Sequence, residues 1–94
     1  MADPAARTLT FALRGALARG ELPAFADGIG RRLKTAQPTI ALVDVAGLEA
    51  DAVSLEALAL LALQARRAGC RIRLHGGSDR LRAMIELAGL GELF

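Results

Sequence analysis

Ninety-four residues, 53% hydrophobic but only 3% aromatic and without Trp or Tyr, fit one domain with an aliphatic, alanine-rich core. That composition argues against recognition of bases or sugars on aromatic platforms, and twelve basic against ten acidic side chains leave a formal +2, too balanced a surface to favour nucleic acid. The single cysteine, Cys70, excludes a disulfide framework, and no apolar run approaches the roughly 20 residues of a membrane-crossing helix, so a cytoplasmic protein without membrane insertion is expected.

Residues 1–6 include Asp3 and Pro4, lack the basic-then-apolar order of a signal peptide, and read as a disordered or frayed tail ahead of one domain at 7–94. From Thr8 the chain alternates. Leu9, Phe11 and Leu13 fall on one side and Thr8, Thr10, Ala12 and Arg14 on the other, as in a strand with one buried face. Residues 16–20 either pair as a second short strand or turn the chain.

Leu22-Pro23 opens a helix, because a proline at the first helical position gives up no intrahelical hydrogen bond. Leu22, Phe25, Ala26, Ile29 and Leu33 form its apolar stripe, and Asp27, Arg31 and Lys34 face away. Gly28 and Gly30 weaken it by about 1 kcal/mol each relative to Ala.

The β-branched run at 39–45 lies between Pro38 and Gly47 and predicts a buried strand, followed by a loop at 46–53 carrying Glu49 and Asp51 close to Asp44. A helix is expected over 54–68, closed by Arg66, Arg67 and Gly69. At about 100° per residue, Leu55, Leu58, Leu61, Ala62 and Ala65 share the core arc, with Glu56, Gln64 and Arg67 opposite. Leu60 and Leu63 fall on the polar side. They read either as scattered surface leucines or leucines under a chain terminus, or as a patch that a partner or second subunit covers.

Cys70, Ile72 and Leu74 then alternate inward in a last strand, with Arg71 and Arg73 on a solvated face or in a basic strip with Arg14. His75-Gly76-Gly77 is a loop without the spacing and Lys of a phosphate-binding loop. Ser78 caps a third helix with Leu81, Met84, Ile85 and Ala88 on one stripe; Gly89 ends it, and Leu90, Leu93 and Phe94 form an apolar tail expected to fold back onto the core or to offer a second contact surface.

Catalytic constellations are thin. One histidine, His75, cannot assemble a metal site alone, and the two serines, Ser54 and Ser78, stand at helix starts where capping explains them. Asp44 and Asp51 could act as paired carboxylates only with a cleft that separates their pKa values; loop capping is the simpler reading. No enzymatic activity, cofactor or metal is expected.

The order of these elements resembles the STAS domain family, shared by anti-sigma factor antagonists and the cytoplasmic portions of sulphate transporters. The resemblance runs from Thr8 to Phe94. It rests on Leu13-Arg14-Gly15, Ile40-Ala41-Leu42-Val43-Asp44-Val45-Ala46-Gly47-Leu48, Arg66-Arg67-Ala68-Gly69, Ser78-Asp79-Arg80-Leu81 and Ile85-Glu86-Leu87-Ala88-Gly89-Leu90. Wording such as Ala65-Arg66-Arg67 is similar to small stand-alone members from high-GC bacteria. Phosphoregulated members carry Asp-Ser-Ser-Gly in the acidic loop, with the second Ser phosphorylated by a partner kinase. Asp51 matches the Asp, but Ala52, Val53 and Ser54 replace the rest, so the phosphoacceptor position is Val53, which has no hydroxyl. Ser54 reads as a cap rather than a phosphoacceptor: a helix N-terminus favours phosphate, but Asp51 would oppose it.

The resemblance implies an α/β, STAS-like domain, a small mixed β-sheet with three to four helices packed on one face. It implies a non-enzymatic interaction domain like an anti-sigma factor antagonist, a regulator of transcription, without the usual phosphoserine switch. The expected partner surface comprises Asp51, Val53, Ser54, Glu56, Leu60, Leu63 and Arg67. The partner would be an anti-sigma factor kinase or, alternatively, the ATPase subunit of an ABC-type phospholipid-transport complex; a homodimer and a small-molecule or enzymatic site at Asp44 and Asp51 are further alternatives.

Overall fold

In the computed structural model, which describes residues 7–94, the alternating segments become three strands: β1 (Thr8–Gly15), β2 (Ile40–Leu48) and β3 (Arg71–His75). The tail expected at 1–6 lies outside the described residues. Between and after the strands lie α1 (Leu22–Ala36), α2 (Ala52–Arg67) and α3 (Asp79–Leu87), with short 3-10 turns at Arg19–Glu21 and Gly91–Leu93. Strand order is β1-β2-β3, and both pairings are parallel, so among the described residues the sheet is not mixed as expected. Residues 16–18 form no strand and lead into the first 3-10 turn.

A sheet that grows in one direction through crossovers of one hand places every connecting helix on the same face. The burial pattern agrees. Phe11 and Leu13 of β1, Ala41, Val43, Val45 and Leu48 of β2 and Ile72 of β3 form one core with Ile29 and Leu33 of α1, Leu58, Leu61, Ala62 and Ala65 of α2, and Leu81 and Ile85 of α3. Each fully buried leucine in that layer contributes about 1.5–3 kcal/mol relative to an exposed one. Leu90 and Phe94 pack against the core as expected, while Leu93 stays 40% exposed.

On the uncovered face, register brings Thr8, Ile40 and Arg71 into one row, Thr10, Leu42 and Arg73 into the next, and Ala12, Asp44 and His75 into a third. His75 therefore ends a strand rather than opening the loop. The two glycines after it have positive φ, and a Cβ on Gly76 would lie 3.0 Å from the Ala46 Cβ, so the chain turns against β2 where a side chain would collide.

Three helix ends follow the expected chemistry. The Ser78 hydroxyl accepts the Leu81 amide at 3.1 Å, and Gly69 and Gly89 take left-handed conformations after α2 and α3. The end of α1 is less regular: Gln37, not a glycine, takes the left-handed position with φ 46°.

Candidate functional site: the start and outward stripe of α2

β2 runs three residues beyond its expected end. Ala12 pairs with Asp44, but Arg14 pairs with Gly47, so β2 holds one extra residue, and Ala46 and Gly47 stand exposed between the buried Val45 and Leu48. Asp44 Oδ1 accepts the Ala46 amide at 3.0 Å across this bulge. Pairing then resumes through Leu48, and the Glu49 amide donates to the Gly15 carbonyl at 2.9 Å. The expected loop of 46–53 shrinks to 49–51.

The N-cap of α2 is Asp51, whose Oδ1 accepts the Ser54 amide at 2.8 Å; α2 begins at Ala52, two residues earlier than expected. Ser54 is not the cap. It is 0% exposed and its hydroxyl has no hydrogen-bond partner, so it contributes neither contact area nor an accessible hydroxyl at this surface. The helical period carries the reason: residues 54, 58, 61 and 65 lie on one face, and that face meets the sheet. Asp51 and Val53 are half-buried at the helix start.

On the opposite side of α2, Glu56, Leu60, Leu63 and Arg67 fall on one stripe at helical spacing. Glu56 and Arg67 are exposed, Leu60 is half-buried, and Leu63 is 43% exposed. Leu60 does not belong to the core cluster or to the side chains packed against it. Leu87 of α3 is more exposed still, at 88%, and Met84 one turn before it is half-buried, so α3 also carries an outward apolar pair. Both flanks of α2 are set by packing. On one, Gly30 of α1 lies against the Gln64 side chain: a Cβ there would approach Gln64 Oε1 to 3.1 Å, and the flexible amide would have to shift by a few tenths of an ångström.

Arg19, from the 3-10 turn, donates through Nε and Nη2 to the two carboxylate oxygens of Glu56 at 3.1 and 3.0 Å. Sequence reading missed Arg19: the two residues are 37 apart, and nothing local to either signals the pair. Both side chains are exposed, so the pair orients Glu56 more than it stabilises the fold.

The other candidates have structural occupations. Asp44 and Asp51 each bond a nearby backbone amide, one at the bulge and one at the helix start. Cys70 is buried just before β3, its thiol donates to the Arg71 carbonyl at 3.2 Å, and burial pushes its pKa up, against a smaller lowering by a backbone hydrogen bond at Ala41. A groove beside it of about 430 Å³ is lined by Arg66, Arg71, Arg73, Glu92 and Phe94, without either aspartate. Among the described residues, no three His, Cys, Asp or Glu side chains gather as a metal site, and no helix is long and apolar enough to cross a membrane.

No curated protein matches the chain. The family model described as Mlab, STAS domain, matches residues 2–94, which takes in the bulged central strand, the capped α2 and both of its flanks. By that match and by a parallel sheet with its helices on one face, the chain belongs to the STAS domain family, whose members are generally interaction or regulatory domains.

Proposed function

We propose that this STAS domain is a non-enzymatic docking module whose partner protein covers the outward stripe of α2 together with the helix start at Asp51 and Val53. The observation that carries the reading is the pair Leu60 and Leu63: two large apolar side chains lie a turn apart on the side of α2 away from its core, bracketed by Glu56 and Arg67. Apolar centre and charged rim are the usual anatomy of a protein interface. Asp51 supports the geometry by starting the helix, while Ser54 stays inside and serves packing.

The partner class follows from the family resemblance. An anti-sigma factor of the kinase type is the first candidate, held by a version of the domain that lacks the phosphoserine switch and so regulates transcription by sequestration alone. A second reading, the accessory STAS subunit of an ABC-type phospholipid-transport complex bound to its ATPase subunit, is favoured by the same two residues. Val53 offers no hydroxyl and Ser54 is buried, which suits docking that no phosphate controls.

Calorimetric titration of the purified domain against a purified anti-sigma kinase and a purified transporter ATPase from the same genome tests both. Saturable binding to one of them, lost in the Leu60→Asp/Leu63→Asp double variant with the circular dichroism spectrum unchanged, is the expected result. Binding that survives the double variant would remove α2 as the docking surface.

A further inference from the structure

Building on the reading of α2 as a docking surface, we propose that a second copy of this chain is also an occupant of that surface, in an antiparallel α2-to-α2 pair. The stripe is self-complementary. A two-fold axis perpendicular to α2, lying between the two helices and level with the midpoint of positions 61 and 62, exchanges position 56 with 67, 60 with 63 and 59 with 64. Glu56 of each copy then faces Arg67 of the other at both ends of the contact, and Leu60 faces Leu63 in the middle.

Spacing and exposure permit this arrangement. Glu56 and Arg67 are separated by about 16 Å along the helix, the same reach from either direction. The two leucines between them are the large apolar residues of α2 that stand outside the core cluster and the side chains packed against it, and Ala59 beside them is small enough to let two helices approach. Parallel pairing is disfavoured, because it would set Glu56 on Glu56 and Arg67 on Arg67. The two-fold arrangement gives the isologous contact typical of homodimers. Glu56 already bonds Arg19, but that pair is exposed at both ends and yields readily to a second guanidinium.

One helix face per copy makes a small interface, below the roughly 1,200 Å² of total buried surface found in stable complexes. The pair is therefore weak and concentration-dependent. It competes with any other partner for the same leucines, so self-association masks the docking stripe until that partner displaces the second copy.

Sedimentation equilibrium of the full chain over a wide concentration range tests the pairing, with circular dichroism of every variant as the folding control. The wild type is expected to move from monomer toward dimer. Glu56→Arg alone and Arg67→Glu alone should each weaken association about ten-fold, since either reversal sets like charges together at both ends of the two-fold contact. The Glu56→Arg/Arg67→Glu double variant should restore it, because the charges are exchanged rather than removed. A wild type that stays monomeric throughout, or a dimer indifferent to the single reversals or not restored by the double one, overturns the proposal. If the chain is monomeric yet the Leu60→Asp/Leu63→Asp variant loses its heterologous partner, self-pairing falls and the docking reading stands. A dimer that survives the leucine double variant overturns self-pairing through α2, and the calorimetric titration then decides the docking reading by itself.

Discussion

The Asp51 carboxylate accepts the Ser54 amide at 2.8 Å, while the hydroxyl of that same Ser54 is buried without a partner. One residue is thus satisfied at its backbone and unsatisfied at its side chain, and the two groups act on stability in opposite directions. Asp51→Ala, which strips the cap, should cost about 1 kcal/mol. Ser54→Ala removes an unpaired buried hydroxyl and should be neutral or stabilising by up to about 1 kcal/mol. Urea unfolding monitored by circular dichroism measures both. A Ser54→Ala loss as large as that of Asp51→Ala would mean that the hydroxyl has a partner in solution.

The two classes of leucine on α2 should separate sharply. Leu58 is 0% exposed in the core, and Leu58→Ala should cost about 2–5 kcal/mol. Leu60→Asp and Leu63→Asp should each cost about 1 kcal/mol or less, mostly from the lower helix propensity of Asp. Thermal melts of the three single variants, compared at one low concentration so that self-association does not enter, check the contrast. A Leu63→Asp variant that unfolds like Leu58→Ala would show that its side chain belongs to the interior.

Gln37 caps the end of α1 in the left-handed region, where a Cβ meets steric resistance. Its amide still donates to the Leu33 carbonyl at 2.9 Å, so the turn itself is sound. Gln37→Gly keeps that hydrogen bond and relieves the strain, and it should raise stability by up to about 1 kcal/mol. Chemical denaturation of the single variant decides it, and a loss of stability would refute the strain argument.

Cys70 should be a slow thiol. Burial raises its pKa, so at pH 8 the folded protein should react with iodoacetamide more slowly than the urea-unfolded chain. The linkage has a definite sign. A thiol held protonated by the fold adds stability below its unfolded pKa, and that contribution is lost as pH rises from the unfolded value through the higher folded one. Stability of the wild type should therefore fall more than that of Cys70→Ala above the ordinary thiol range. Equal slopes in the two proteins would contradict this.

Much of this molecule was legible because its signals are local. Period-two alternation at residues 8–14 and 70–74, the proline at the start of α1, Ser78 as a cap and glycines after α2 and α3 each act within a few residues. Burial of Ser54 was legible too, since it stands on the same helical face as Leu58, Leu61 and Ala65, but its hydroxyl drew the reading toward a cap. The bulge was not. Gly47 looks like a terminator, and only pairing with Arg14 and Gly15 of β1 shows that the strand continues to Leu48.

The chain alone determined its strands, its helices and the outward placement of Leu60 and Leu63, because helical and pleated periodicities are properties of consecutive residues. Tertiary structure decided that both strand pairings among the described residues are parallel, that Arg19 meets Glu56 and that Gly30 lies against Gln64. Those relationships join segments far apart in sequence, and they exist only once the core has brought the helices onto one face of the sheet.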